Sequence, residues 1–168
     1  MKHVDHSWNA FKLRVNINAG LETVYRAWAT TEGLESWFLR RAIMKDAGNT
    51  IRPADTLLQK GDRYQWYWFG YPDSITETGE ILAANGKDQF RFSFAMNCPV
   101  NISLYKECGE TIVELTESEI PEDEEAILNR YLSDSKGWLF YLANLKSVLE
   151  GGLDLRNRKV ELANVITC

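Results

Sequence analysis

The hydrophobic period of this chain switches at Pro121 and does not switch back before Glu150, two short helical stretches near the start aside. Before it, apolar residues recur at every second position in short runs separated by turn residues. Beyond it, they recur at helical spacing as far as Glu150. A long helix with a wide apolar face must bury that face, and the only large partner available is a sheet built from the preceding strands. Proline suits the first position of a helix, where no amide donor is needed. Glu122, Asp123, Glu124 and Glu125 complement the positive end of the helix dipole, and Gly151-Gly152 ends the run.

The strands are read from alternation. Phe11, Leu13, Val15 and Ile17 face one way and Lys12, Arg14, Asn16 and Asn18 the other, which makes a strand with one wet side. After the turn Asn18-Ala19-Gly20, the stretch LETVYRAWA puts Leu21, Val24, Ala27 and Trp28 on one helical face. LESWF reads as a second short helix, and residues 45–61 as loop. DRYQWYWFGY, SITETGEILAA, DQFRFSFAM, VNISLYK and TIVELTE read as further strands, with Asn85-Gly86 as a tight hairpin turn. Strands joined by tight turns run antiparallel. The expected fold is α+β: a curved antiparallel sheet of about six to seven strands wrapped around a long C-terminal helix, with two short helices after the first strand. One domain is expected across residues 1–168, with 153–168 a C-terminal tail ordered in part at best.

Composition narrows the partners. A net charge of −5, with no run of four or more Lys and Arg, argues against nucleic acid or an anionic membrane. No apolar run approaches membrane-spanning length. The start, MKHVDHSWNAFK, has no apolar signal core, and Cys98, Cys108 and Cys168 lack metal-type spacing. A cytoplasmic protein with reduced thiols, no metal and no cofactor is the simplest reading. There is no glycine-rich phosphate loop and no Gly-x-Ser-x-Gly elbow, and the histidines are confined to His3 and His6. No catalytic residue is assigned.

The informative residues are aromatic or out of pattern. In YQWYWFGY, Tyr64, Trp66 and Trp68 point one way and Gln65, Tyr67, Phe69 and Tyr71 the other. The inner face meets the helix. The outer face is either a partner or dimer surface or is covered by the 45–60 loop. Phe90, Phe92 and Phe94 belong to the inner face with Met96, as core or as cavity wall. In the long helix, taking Trp138 as zero at about 100° per residue, Asp134 falls near about −40° and Ser135 near about +60°. Both lie inside the apolar arc. A buried carboxylate needs company: water, Arg130 or a ligand. Otherwise the helix bends near Gly137 and Asp134 reaches solvent. Glu77 turns inward if Ile75, Gly79 and Ile81 share the buried face, and is otherwise exposed. Gly137 sits at the edge of the arc, where a missing side chain would let a strand or loop approach. The candidate aromatic lining of a cavity is Trp37, Trp66, Trp68, Phe92, Phe94 and Trp138. Its candidate polar groups are Asp134, Ser135 and Glu77.

These elements, in this order, resemble the START-like (SRPBCC, helix-grip) superfamily. The carrying pieces are INAGLETVYRAWATTEGLESWF, GDRYQWYWF, TGEIL, GETIVELTES and KGWLFYLANLKSVLEGG. Within the superfamily the chain is similar to the activator of heat-shock-protein-90 ATPase homology family over residues 8–156. Trp37-Phe38 supplies the family's Trp-Phe pair, and Gly20 stands where the family often has Pro. The resemblance implies the helix-grip fold. START-like domains include lipid and hormone binders, aromatic cyclases, oxygenase domains and chaperone regulators, so the function has to come from the site.

The leading expectation is a non-catalytic domain holding a small hydrophobic or aromatic ligand between sheet and helix. A protein-interaction module tuning a chaperone ATPase is the second, with a homodimer as a further possible partner state. The third is a cyclase- or hydrolase-like enzyme using Asp134 or Glu77 as acid or base.

Overall fold

In a computed structural model describing residues 7–159, 161–162 and 165–166, regular structure begins with strand β1 (Phe11–Ile17). His3, His6 and Cys168 lie outside the described residues. Two short helices follow, α1 (Leu21–Ala29) and α2 (Thr31–Trp37). Thr30 separates them: its Oγ1 accepts the Gly33 N–H at 3.0 Å and donates to the Arg26 carbonyl at 2.8 Å, closing one helix and opening the next.

The chain then runs through β2 (Arg41–Lys45), β3 (Arg63–Tyr67), β4 (Glu77–Ala84), β5 (Gln89–Phe94), β6 (Cys98–Glu107) and β7 (Glu110–Glu117). These strands form one 7-stranded antiparallel sheet in the order β1-β7-β6-β5-β4-β3-β2. The helices α1 and α2 carry the chain from one edge to the other. It then returns strand by strand until β7 pairs with β1. The C-terminal helix begins as α3 (Glu124–Ala126), passes through a π-helical turn (Ile127–Tyr131) and continues as α4 (Leu132–Leu149). This is the expected α+β helix-grip architecture.

Several details differ from the sequence reading, each for a local reason. Strand β2 falls where no strand was expected. The N–H of Ala42 bonds the Glu35 carboxylate at 2.8 Å, and Arg41–Lys45 pairs along β3. Strand β3 ends at Tyr67, so Tyr71 escapes the alternation that would have turned it outward; Gly70, at φ 82, bends the chain back. The Asn85-Gly86 connection is longer than a two-residue turn. Asn85 Oδ1 accepts the N–H groups of Lys87, Asp88 and Gln89, each at 3.0 Å. Met96 leaves the Phe90–Phe94 face and is 72% exposed, because Ala95, Met96 and Asn97 all turn into the left-handed region. The last helix starts at Glu124 rather than Pro121. Asp123 is its cap, accepting the Ala126 N–H at 2.9 Å.

The tail is more closely built in than its pattern suggested. Arg156 is buried, and its guanidinium donates to the carbonyls of Glu35, Ser36 and Leu39 at 3.1, 2.9 and 2.8 Å. These are carbonyls that the end of α2 leaves without helical partners. Asp154 pairs with Arg156 at 2.8 Å, and the buried Asn144 of α4 binds both Asp154 and the Leu155 N–H.

The core lies between the sheet and α4, with α1 and α2 closing one end. Its centre is a continuous cluster of rings. Trp28 packs on Trp37 at 4.6 Å between centroids, Trp66 on Phe92 at 5.3 Å, and Phe38 on Trp138 at 5.2 Å. The outer face of β3 is not a bare aromatic surface. The guanidinium groups of Arg40 and Arg41 cover Tyr67, and those of Arg156 and Arg158 cover Phe69, all within 5.8 Å of the ring centres.

Candidate functional site

A cavity of about 260 Å³ opens where the N-terminal half of α4 lifts away from the β3–β5 side of the sheet. From α4 come Ser133, Asp134, Gly137, Trp138 and Tyr141. Phe38 closes it from the end of α2, Phe94 forms the floor from β5, and Trp68, Tyr71 and Ile75 form the outer wall. The wall is held by Arg40, which donates from Nε to the Trp68 carbonyl at 3.2 Å and pairs with Asp73. The rings are in mutual contact: Phe94 lies 5.2 Å from Trp138, and Phe38 lies 4.7 Å from Tyr141. Gly137 lies on the wall of this space. A Cβ built at this position meets nothing within 4 Å. The missing side chain therefore admits no strand or loop, as the sequence reading had it; it faces the cavity.

Of the residues expected to line such a cavity, Trp68, Phe94, Asp134 and Trp138 do so. Trp37, Trp66 and Phe92 lie deeper, fully inside the core; the Trp37 indole donates to the Ala27 carbonyl at 2.9 Å. Trp66 stacks on Tyr64 at 3.7 Å, and Tyr64 donates to the Ser93 carbonyl. A Cβ on Gly79 would sit 2.6 Å from Tyr64 Oη, so this ring needs the glycine of TGEIL. Ser135 returns its hydroxyl to the Leu132 carbonyl at 3.1 Å. Glu77 does turn inward, opposite Trp66, and accepts the Ala95 N–H at 3.0 Å. Burial pushes its carboxyl above the ordinary range, against that hydrogen bond and the charge of Arg130.

The helix is unbroken at Gly137. Regular α4 runs through it, and the irregularity is the π-helical turn before Leu132. Asp134 therefore keeps its place in the apolar arc and is half-buried. Its company is a residue that the sequence reading passed over. Glu117, the last residue of β7, is 0% exposed and sits between Phe11 of β1 and Val100 of β6. Its Oε2 accepts the Trp138 indole N–H at 2.9 Å, and its carboxyl lies close enough to that of Asp134 for each to shift the other's proton affinity. Glu117 Oε1 and Asp134 Oδ2 are both buried and neither meets a hydrogen-bond donor among the described residues. Two carboxyl groups held together favour the state in which one of them carries a proton. Burial first, then the Asp134 charge, raises Glu117 to about 8, with Arg130 opposing. Asp134 is also raised, by burial, against its contact with the Glu117 carboxyl and the charge of Arg130. The signal for Glu117 was present in TIVELTE: Thr111, Val113, Leu115 and Glu117 alternate on one face.

Among the described residues, no group of three or more His, Cys, Asp or Glu side chains could hold a metal ion. Cys98 is buried and Cys108 exposed, and burial raises the Cys98 thiol. No described helix is long and apolar enough to cross a membrane.

Comparison with known proteins agrees with this architecture. Residues 18–150 match the family described as Activator of Hsp90 ATPase homolog 1-like protein. The chain belongs to that family. This Aha1-like, START-like domain is similar in fold to the solution structure of the Aha1 dimer from Colwellia psychrerythraea, with 18% identity and a TM-score of 0.63 over 85% of this chain and 97% of that one. A crystal structure from Staphylococcus saprophyticus aligns over 88% of this chain and 96% of its own, at 18% identity and a TM-score of 0.65. DynU16, a putative protein in the dynemicin biosynthetic locus, aligns over 89% of this chain and 50% of its own, at 19% identity and a TM-score of 0.66. No curated protein matches the chain. Within the Aha1-like fold, the Trp-Phe pair now has two jobs: Trp37 fills the core and Phe38 closes the cavity.

Proposed function

We propose that this domain binds a compact hydrophobic or aromatic molecule, without chemistry, in the cavity beside Gly137. The observation that carries the reading is a ring-lined space under a helix position where no Cβ would touch anything. A helix interior gains about 1 kcal/mol from alanine over glycine, so this glycine weakens the helix and keeps the space open. Apolar walls with a few convergent polar groups are the usual make-up of a small-molecule site. The decisive experiment is a thermal-shift and native-mass-spectrometry screen of ring compounds on the full chain and on Gly137→Phe. Ligands should raise the Tm of the parent and lose that effect in the variant, which should itself remain folded. Ligands that stabilise both proteins equally would refute the site.

The buried carboxyl pair favours a second reading, an acid–base enzyme acting on a small aromatic molecule, with Asp134 as the group in contact with substrate. Turnover abolished by Asp134→Asn with ligand binding retained would support it over simple binding. An interaction module ranks below both, since arginines of this chain already cover the aromatic rings that a partner would have used. The Colwellia relative is a dimer, and a homodimer of this chain is the corresponding proposal, tested by light scattering across a concentration series.

A further inference from the structure

We propose that the cavity selects organic ammonium ligands: a ring among the aromatic side chains with its protonated amine against Asp134. The inference rests on the ligand-binding reading above and specifies its chemistry. Among the described residues, Asp134 is the one acidic or basic side chain lining the cavity, and no Lys, Arg or His lines it. A carboxylate or phosphate ligand would bring negative charge to an acid with no cation to receive it. A neutral ligand would leave Asp134 without a cation on the cavity side, since Arg130 acts on it from outside. An ammonium group supplies one.

The walls agree with the acid. Phe38, Trp68, Phe94, Trp138 and Tyr141 present ring surfaces to the space. The face of an aromatic ring is the negative end of its quadrupole and attracts cations. The acid is also held in place. Trp138 donates to Glu117, and Glu117 lies against Asp134, so the acid is fixed at the cavity's edge by the sheet behind it. The other titratable groups acting on the pair come from each neighbouring element: Arg130 from the π-helical turn, Glu77 from β4, Cys98 from β6 and Tyr64 from β3. Arg130 lines a separate depression with Met96 and Pro121, so its charge reaches the pair from outside the cavity.

Three probes of one shape test the proposal by calorimetry on the full chain: tryptamine, 3-propylindole and indole-3-propionate. Tryptamine should bind at least tenfold more tightly than 3-propylindole, and indole-3-propionate more weakly than both. Asp134→Asn should erase the preference for tryptamine and leave 3-propylindole bound. A cation beside the pair lowers its affinity for protons, so tryptamine should bind more tightly as pH rises from 6 to 8. Glu117→Gln, whose amide can donate permanently to Asp134, should remove that pH dependence, and it serves as the second variant if Asp134→Asn does not fold. Equal binding of tryptamine and 3-propylindole, or tighter binding of the propionate, would overturn the charge selection while leaving the cavity reading intact. No binding by any probe, or binding unchanged in Gly137→Phe, would overturn the cavity reading and this proposal with it.

Discussion

Gly137 and Glu117 carry most of what is particular to this chain at the scale of single residues. Glycine in a helix interior is unfavourable, and here no close approach requires it, because nothing lies within 4 Å of its missing Cβ. Gly137→Ala is therefore expected to stabilise the protein by about 1 kcal/mol in urea unfolding, because it removes backbone entropy from the unfolded chain and meets no clash. The same change narrows the cavity, and ligand affinity should fall as stability rises. Glu117 is the converse case, a polar residue at an interior position. Its alternation with Thr111, Val113 and Leu115 placed it inward, yet a glutamate at a strand's end more often reaches water. Only the neighbouring Trp138 indole and Asp134 carboxyl make burial tolerable.

At the scale of elements, the joints were harder to read than the elements. The alternating runs of β1, β5 and β7 and the two short helices follow from periodicity. Strand β2 does not, because RAIMK is short and its pairing with β3 comes from a partner distant in sequence. The π-helical turn leaves no mark in the hydrophobic pattern, which reports faces and not hydrogen-bond register. The tail is the clearest instance. Residues 153–168 read as a tail ordered in part at best, but the Arg156 fork closes the end of α2. Despite the cost of burial, hydrogen bonds from Arg156 and Arg158 hold Asp154 below the ordinary carboxylate range. Arg156→Ala should destabilise the protein by ~3 kcal/mol in chemical unfolding, since it strands buried carbonyls and a charged partner together. Arg156→Lys should recover little of that, because a point charge cannot span three carbonyls.

At the scale of the whole molecule, the carboxyl groups pull stability in two directions with pH. Glu117, Asp134 and Glu77 are raised, so the folded state holds protons that the unfolded chain releases. Their contribution is present at mildly acid pH and is lost as pH rises from the ordinary 4.5 towards about 8, the value for Glu117. Glu114, Glu150 and Asp154 are lowered, so their contribution is present above their ordinary values and is lost as pH falls through the folded ones. Unfolding free energy should therefore peak near the mildly acid range and decline towards pH 8. One retained proton corresponds to a slope of up to about 1.4 kcal/mol per pH unit. Urea titrations at a series of pH values would measure it, and Glu117→Gln should flatten the decline on the alkaline side. A decline of the same slope in that variant would place the retained proton elsewhere.

What the chain determined by itself was everything that periodicity and local chemistry encode: strands with one buried face, short helices after β1, a long amphipathic helix after Pro121, and an acid inside that helix's apolar arc. These depend on neighbours within a turn or a hairpin. What only the tertiary structure decided was which distant groups meet. Glu117 pairs with Asp134 because β7 lies under α4, and Phe38 meets Tyr141 because α2 closes the same end of the grip. Arg156 becomes a cap only once the chain has returned to α2. Whether an inward-facing residue fills the core or borders a space depends on the gap left between two packed layers, and no single segment specifies that gap.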